Sequence, residues 1–238
     1  MTERRALATD ARSSVAVYHM LRTRIMTCEL VPGQPLTERA SAVEFGLGLS
    51  PVRDALTRLV GDGLVQVVSP NVYRITPLTL KSVNDLFTVW ALLGPEMAAL
   101  GASRADPAQT AQLRQLMVDG NAVLAGPLDR DRVVRFIDIT ERSFDLIASA
   151  SRNGRLIEAY RSLSCELWRV LTLILLSADC VDTLQAAGVT WHSLIDRRDA
   201  LGVTRLTRQV TAATHASAVR LLTDGTKTDD GAVLPLWR

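Results

Sequence analysis

Between Val31 and Ile75 the chain carries an order of helix starts and stops that few folds can satisfy. From Ser14 the apolar residues Val17, Leu21, Ile25 and Met26 recur at helical spacing, and Val31-Pro32-Gly33 then forces a turn. Thr37 can cap a short helix over Glu38–Phe45, with Glu38 in the first turn facing its positive end and Gly46 and Gly48 ending it. Ser50-Pro51 supplies an N-cap followed by a proline at the first helical position, which starts a third helix over 51–61. Residues 64–68 and Val72–Ile75, separated by Ser-Pro-Asn, predict a β-hairpin. Helix, helix, turn, helix, hairpin is the order of a winged helix-turn-helix.

Beyond the short linker Thr76-Pro77-Leu78 the pattern is helical throughout. It predicts six helices, at about 79–103, 107–124, 129–150, 154–177, 181–199 and 203–223, separated by breaks such as Asp106-Pro107, Asn153-Gly154 and Gly202. The expected chain is therefore mostly α: a winged helix-turn-helix over 1–78 and an all-helical bundle over 79–238. A length of 238 residues suits two domains, and 47% hydrophobic residues against 22% charged ones excludes overall disorder. No run of about 18 uncharged apolar residues appears, and Met1 to Ala11 mixes both charge signs, so neither a membrane span nor a secretory signal is expected. Three cysteines, Cys28, Cys165 and Cys180, lack CxxC spacing and read as buried thiols of a cytoplasmic protein. The tail from Asp224 is expected to fray, with Leu234, Leu236 and Trp237 able to dock.

The net charge of +2 does not by itself announce a nucleic-acid partner, but its distribution does more. Residues 1–78 hold nine arginines against seven acidic residues, and the remainder of the chain is balanced. An arginine in the first turn of a helix can enter the major groove and fork onto guanine O6 and N7 while the helix start accepts a phosphate. That assigns base reading to Arg53.

The run from Pro32-Gly33-Gln34-Pro35-Leu36-Thr37-Glu38-Arg39 through Ser50-Pro51-Val52-Arg53-Asp54-Ala55-Leu56 to Gly63-Leu64-Val65 resembles the DNA-binding domain of GntR-family bacterial transcription regulators. The helical remainder, with Phe144-Asp145, Asn153, Leu156, His192 and His215 in order, resembles the C-terminal FCD domain of the FadR subfamily. The resemblance implies that Arg39 and Ser50 contact the same DNA region as Arg53. It also exposes departures. Leu49 stands where a second arginine is usual, and the wing reads Ser69-Pro70-Asn71-Val72 without arginine, which suits insertion into a narrow minor groove poorly.

In the helical part, Glu141 and Asp145 are four apart and share a helix face, and His192 and His215 sit on the last two helices, able to converge on it. Two carboxylates and two imidazoles suffice for a divalent metal. The resemblance implies such a site, because metal-binding members place an acidic residue, a histidine four later and two further histidines at these points. Asp145 replaces that first histidine, which either hardens the ligand set from zinc or nickel toward manganese, magnesium or iron, or abolishes occupancy. Trp90 stands where many members carry an arginine able to hold a ligand carboxylate, and Gly94 where a glutamate is common. The effector pocket is thus expected to involve Trp90, Glu141, Asp145, His192 and His215, with Trp90 either favouring a flatter, more apolar ligand or filling the pocket itself.

These readings lead to a homodimeric regulator, since one winged helix makes too few contacts for specific binding and two half-sites multiply them. It is expected to bind a pseudo-palindromic double-stranded DNA operator, as a repressor released by a small metabolite. The first rival is a metal-dependent enzyme of hydrolase or oxygenase type in the bundle, and the second is a regulator that drops the metal and binds an acyl-CoA-like ligand in an apolar bundle. No P-loop, GxGxxG or GxSxG motif is present, and no general base stands beyond the metal-ligand candidates.

Overall fold

In the computed structural model, which describes residues 2–177 and 180–225, the first helix α1 (Thr2–Met26) begins well before the expected start at Ser14. The apolar stripe begins only at Val17, and ahead of it Ala6, Ala8 and Ala11 are strong helix formers that form no such stripe in the sequence.

One unit ends at Leu78 and a second begins at Thr79. In the first, α1 is followed by β1 (Pro35–Thr37), α2 (Glu38–Phe45), α3 (Leu49–Gly61), β2 (Val65–Ser69) and β3 (Val72–Ile75). Val17, Leu21 and Ile25 of α1 are fully buried, as are Val52, Ala55, Leu56 and Leu59 of α3, and these two helices pack together. The Thr37 hydroxyl accepts from the Ala40 N–H at 3.1 Å, and Gly46 closes α2 in the left-handed region at φ +64°, which glycine adopts without a Cβ clash. The sheet order is β1-β3-β2, antiparallel throughout, with Leu36 and Val67 both opposite Tyr73. The three-residue β1 escapes sequence reading because it is too short to show alternation and exists only through its ladder to β3.

The start of α3 also differs from expectation. Its N-cap is Gly48, with no side-chain cap, so Ser50 lies inside the first turn and its hydroxyl is not the cap. Leucine at 49 is a good helix former, which lets the helix extend one residue back past the serine–proline signal.

The second unit comprises α4 (Leu80–Arg104), α5 (Pro107–Leu124), α6 (Arg130–Ala150), α7 (Gly154–Leu176), α8 (Val181–Asp196) and α9 (Ala200–Gly225). Capping boxes at Thr79/Ser82 and Asp106/Gln109, and N-caps at Asp129 and Asn153, fix the starts of the first four. Trp168, Leu171, Leu173, Ile174 and Leu175 of α7 are buried in the core. By length and composition α4 could cross a membrane, yet half of its most apolar stretch is buried inside this bundle. The expected docking of Leu234, Leu236 and Trp237 lies outside the described residues.

The start of α9 is a second correction. Arg198 turns the chain at φ +51°, and the Asp199 carboxylate accepts from the Gly202 N–H at 2.8 Å, so the helix starts at Ala200 and Gly202 lies within it. This glycine admits a close approach rather than a break, since a Cβ there would collide with Asp199 and Leu194. Gly101 of α4 is tighter in kind, because its Cβ would stand 2.6 Å from the Ile147 carbonyl oxygen, a backbone atom that cannot swing aside. Gly101→Ala is accordingly expected to destabilise the bundle by about 2 kcal/mol, read from the thermal melt of the whole protein. An unchanged melt would show that α4 and α6 can separate freely at this point.

Candidate functional site

The outer face of the helix-turn-helix is organised by a buried carboxylate. Glu38, at the first position of α2, is only 3% exposed. Arg53 of α3 donates to it from Nε, at 3.0 and 3.1 Å, and from Nη2, at 2.9 Å, while the Tyr73 hydroxyl of β3 donates at 3.0 Å. One acid thereby ties both helices of the motif to the sheet. The Arg53 hydrogen bonds hold the Glu38 carboxyl below its usual range against the opposing effect of burial. Burial, and then the bond to Glu38, pushes the Tyr73 phenol up.

Arg53 therefore does not present a free fork. Two of its nitrogens are committed to Glu38, and its Nη1 makes none of these bonds, although the side chain as a whole is 55% exposed. Arg39, the second residue of α2, is exposed and makes no hydrogen bond or ion pair with the described residues. Ser50 is exposed in the first turn of α3, where the N–H groups lack a side-chain cap. In the wing, Asn71 turns the chain at φ +63°, Val67 and Val68 are exposed on β2, and Arg74 is exposed on β3.

The bundle holds a partly open cavity of about 150 Å³. Its walls are aromatic and aliphatic: Phe87 and Trp90 of α4, Phe136 and Phe144 of α6, Trp168 of α7 and Trp191 of α8. Trp90 lies 5.7 Å from the Phe144 ring and Phe144 5.2 Å from Trp168, centroid to centroid, in the tilted arrangements aromatic pairs favour. Trp90 also folds across Gly94, where a Cβ would stand 2.7 Å from Cε2 of the indole. The two departures noted at these positions are thus one coupled change: a large ring inward and no side chain beneath it.

The four residues expected to form one polar cluster are held apart from the cavity lining, and only Trp90 of the expected pocket residues is part of it. Glu141 and Asp145 of α6 act on Tyr160 of α7, whose phenol is pushed far up by burial first, then by the Asp145 charge and more weakly by Glu141. Asp145 itself is exposed. His215 of α9 donates from Nε2 to the Asn84 side-chain oxygen at 2.7 Å and stacks on Phe87, ring centroids 4.9 Å apart. His192 of α8 has its Nε2 buried without a hydrogen-bond partner among the described residues. It stands near Asp196, whose carboxyl is held low chiefly by Arg114.

Among the described residues no group of three or more His, Cys, Asp or Glu side chains lies close enough to hold a metal ion. The orphaned His192 nitrogen is a single donor, and the other imidazole is engaged by an amide and a ring. The donor set in this arrangement does not fit a divalent metal. The reason is physical: i, i+4 spacing places the two carboxylates on one face of α6, but nothing in the spacing of His192 and His215 fixes the rotation of their helices. The cavity residues that the sequence reading missed, Phe136, Trp191 and Thr207, sit on three different helices, so no single-helix periodicity groups them.

Known proteins agree with this architecture. Residues 13–71 match the family described as bacterial regulatory proteins, gntR family, and residues 85–213, more than half the chain, match the FCD domain. FCD domains can bind metals. The chain is 24% identical over 139 residues to the HTH-type transcriptional regulator YdhC of Bacillus subtilis, covering 58% of this chain and 61% of that one. It is 28% identical over 99 residues to the HTH-type transcriptional repressor RspR of Escherichia coli, covering 42% and 43%. The chain thus spans less than two thirds of the length of these relatives. Among solved structures, Escherichia coli McbR/YncC superposes with a TM-score of 0.72 at 17% identity, over 87% of this chain and 97% of that one, which shows a shared fold. These matches are to transcription regulators, not enzymes, and the chain belongs to the GntR family of DNA-binding transcription regulators that carry an FCD domain.

Proposed function

We propose that the protein acts as a homodimeric repressor on a pseudo-palindromic operator and leaves DNA when a small metabolite enters the helical unit. The observation that carries this reading is the apolar, partly open cavity in the helical unit, in a chain whose winged unit exposes a helix start and an unengaged arginine. GntR regulators bind DNA operators and are typically dimers with small-molecule effectors. Repression is supported by the similarity to RspR, a transcriptional repressor of Escherichia coli. The site of action is the bacterial cytoplasm, where the DNA lies.

The DNA contacts divide by role. Arg39, free at the start of α2, reads a base edge; Ser50 and the uncapped N–H groups of α3 take a phosphate; Arg53 offers Nη1 to the backbone while its fork braces Glu38. The wing, whose tip lacks arginine, adds backbone contact through Arg74 on β3. No step is routed through a metal, since among the described residues no three His, Cys, Asp or Glu side chains group closely enough to hold one.

The test begins with selection of the bound sequence from random duplexes, followed by anisotropy titrations at fixed salt. Arg39→Ala is expected to weaken specific binding tenfold or more and random-duplex binding only slightly, as loss of a base contact does. Equal losses on both duplexes would make Arg39 a phosphate contact. Monomers in sedimentation at the concentrations that bind DNA would overturn the dimer.

A further inference from the structure

The cavity lining holds six aromatic side chains and aliphatic ones, together with a few polar residues, all of them neutral: Asn121, Ser143 and four threonines, at 140, 207, 211 and 214. No lysine, arginine, histidine, aspartate or glutamate lines it. An anion brought into such a space would lose its hydration and gain no cation, which is the most unfavourable exchange a buried site can offer. Volume narrows the choice further. At about 150 Å³ the space matches that of an apolar cavity known to take benzene, and it is far below what a coenzyme A thioester needs.

The hydroxyls sort themselves. Thr140 donates to the Phe136 carbonyl at 2.8 Å, Ser143 to Ile139 at 2.7 Å and Thr214 to Val210 at 2.8 Å, each the carbonyl four residues back. Thr207 and Thr211 make no such bond, and of these two it is Thr207, 4% exposed, whose Oγ1 is fully buried without a hydrogen-bond partner among the described residues. A buried hydroxyl left unpaired is costly, and a ligand oxygen beside it would relieve that cost.

We propose that the cavity takes a neutral, single-ring aromatic molecule carrying one hydroxyl or carbonyl oxygen, bonded by Thr207, and that it rejects carboxylates and acyl thioesters. This rests on reading the helical unit as the effector-binding one. The ring lies among Trp90, Phe144, Trp168 and Trp191, with its oxygen toward α9, where Thr207 supplies the polar contact.

Benzene, phenol and benzoate are the probes, titrated into the purified full chain by calorimetry and by tryptophan fluorescence, since three of the four tryptophans line the cavity. Phenol and benzene are expected to bind and raise the melting temperature, and benzoate to do neither. Thr207→Val should weaken phenol about fivefold and benzene less than about twofold, whereas Thr207→Ser, which keeps the hydroxyl should valine perturb the fold, should hold phenol near its wild-type affinity. Benzoate binding as tightly as phenol, equal loss of phenol and benzene in the valine variant, or no binding by any probe would each overturn the proposal. Operator titrations separate it from the broader reading: phenol seated in the cavity without effect on DNA affinity would sink the effector reading alone. An organic acid that releases DNA while phenol fails to bind would sink the neutral-ligand proposal alone.

Discussion

Replacing Glu38 by alanine is expected to destabilise the winged unit by about 2 kcal/mol and to lower operator affinity at least tenfold, a larger loss than Arg39→Ala produces. The carboxylate accepts from Arg53 on α3 and Tyr73 on β3 at once, so its removal leaves the buried tyrosine hydroxyl unpaired and frees α3 from α2. The side chains proposed to contact DNA would then lose the fixed geometry on which discrimination between sequences depends. The same group sets an acid limb. Because Arg53 holds the folded-state carboxyl below its usual range, the stability it contributes is fully present above about pH 4.5 and is lost as pH falls through the lower folded value. Melts of the wild type and of Glu38→Gln should therefore differ at pH 6 and converge toward pH 3. A difference that persists unchanged into acid would mean that shape, and not charge, is what Glu38 supplies.

That acid also shows where sequence reading stops. The helices were legible because their signals are local: Thr37 caps α2, Asp106-Pro107 starts α5, Asn153 starts α7, and each acts within four residues of itself. The stripe Val17, Leu21, Ile25 likewise declares its own burial. What Glu38 does depends on Tyr73, thirty-five positions away, and on a sheet whose first strand is too short to announce itself. Sequence placed Arg53 in the first part of α3, yet whether its fork is free or engaged is set by Glu38 of α2. The bundle repeats the lesson. Glu141 and Asp145 do share a neighbourhood, around Tyr160, because both lie on one helix; His192 and His215 had to be brought there by the rotation of two others, and were not. An aromatic residue inside a helix reads as core whether or not a cavity lies beside it, so the space between Trp90, Trp168 and Trp191 had no signature in the pattern.

The coupling between Trp90 and Gly94 gives the second large expected effect. Trp90 is 5% exposed and walls the cavity, so Trp90→Ala should cost about 3 to 4 kcal/mol, through lost burial and the larger void. Gly94→Ala alone should cost about 2 kcal/mol, because its Cβ would meet the indole at 2.7 and 2.9 Å and the ring, hemmed by Phe144 and Tyr160, has little room to turn. In the Trp90→Ala background that collision is gone, and alanine favours a helix over glycine by roughly 0.8 to 1 kcal/mol, so the second substitution should turn neutral or stabilising. The double-mutant cycle is expected to show about 2 to 3 kcal/mol of coupling, measured by denaturant unfolding of all four proteins. A cycle that closes with no coupling would mean that the indole leaves Gly94 at little cost, and that the apolar wall it forms is not fixed by the glycine beneath it.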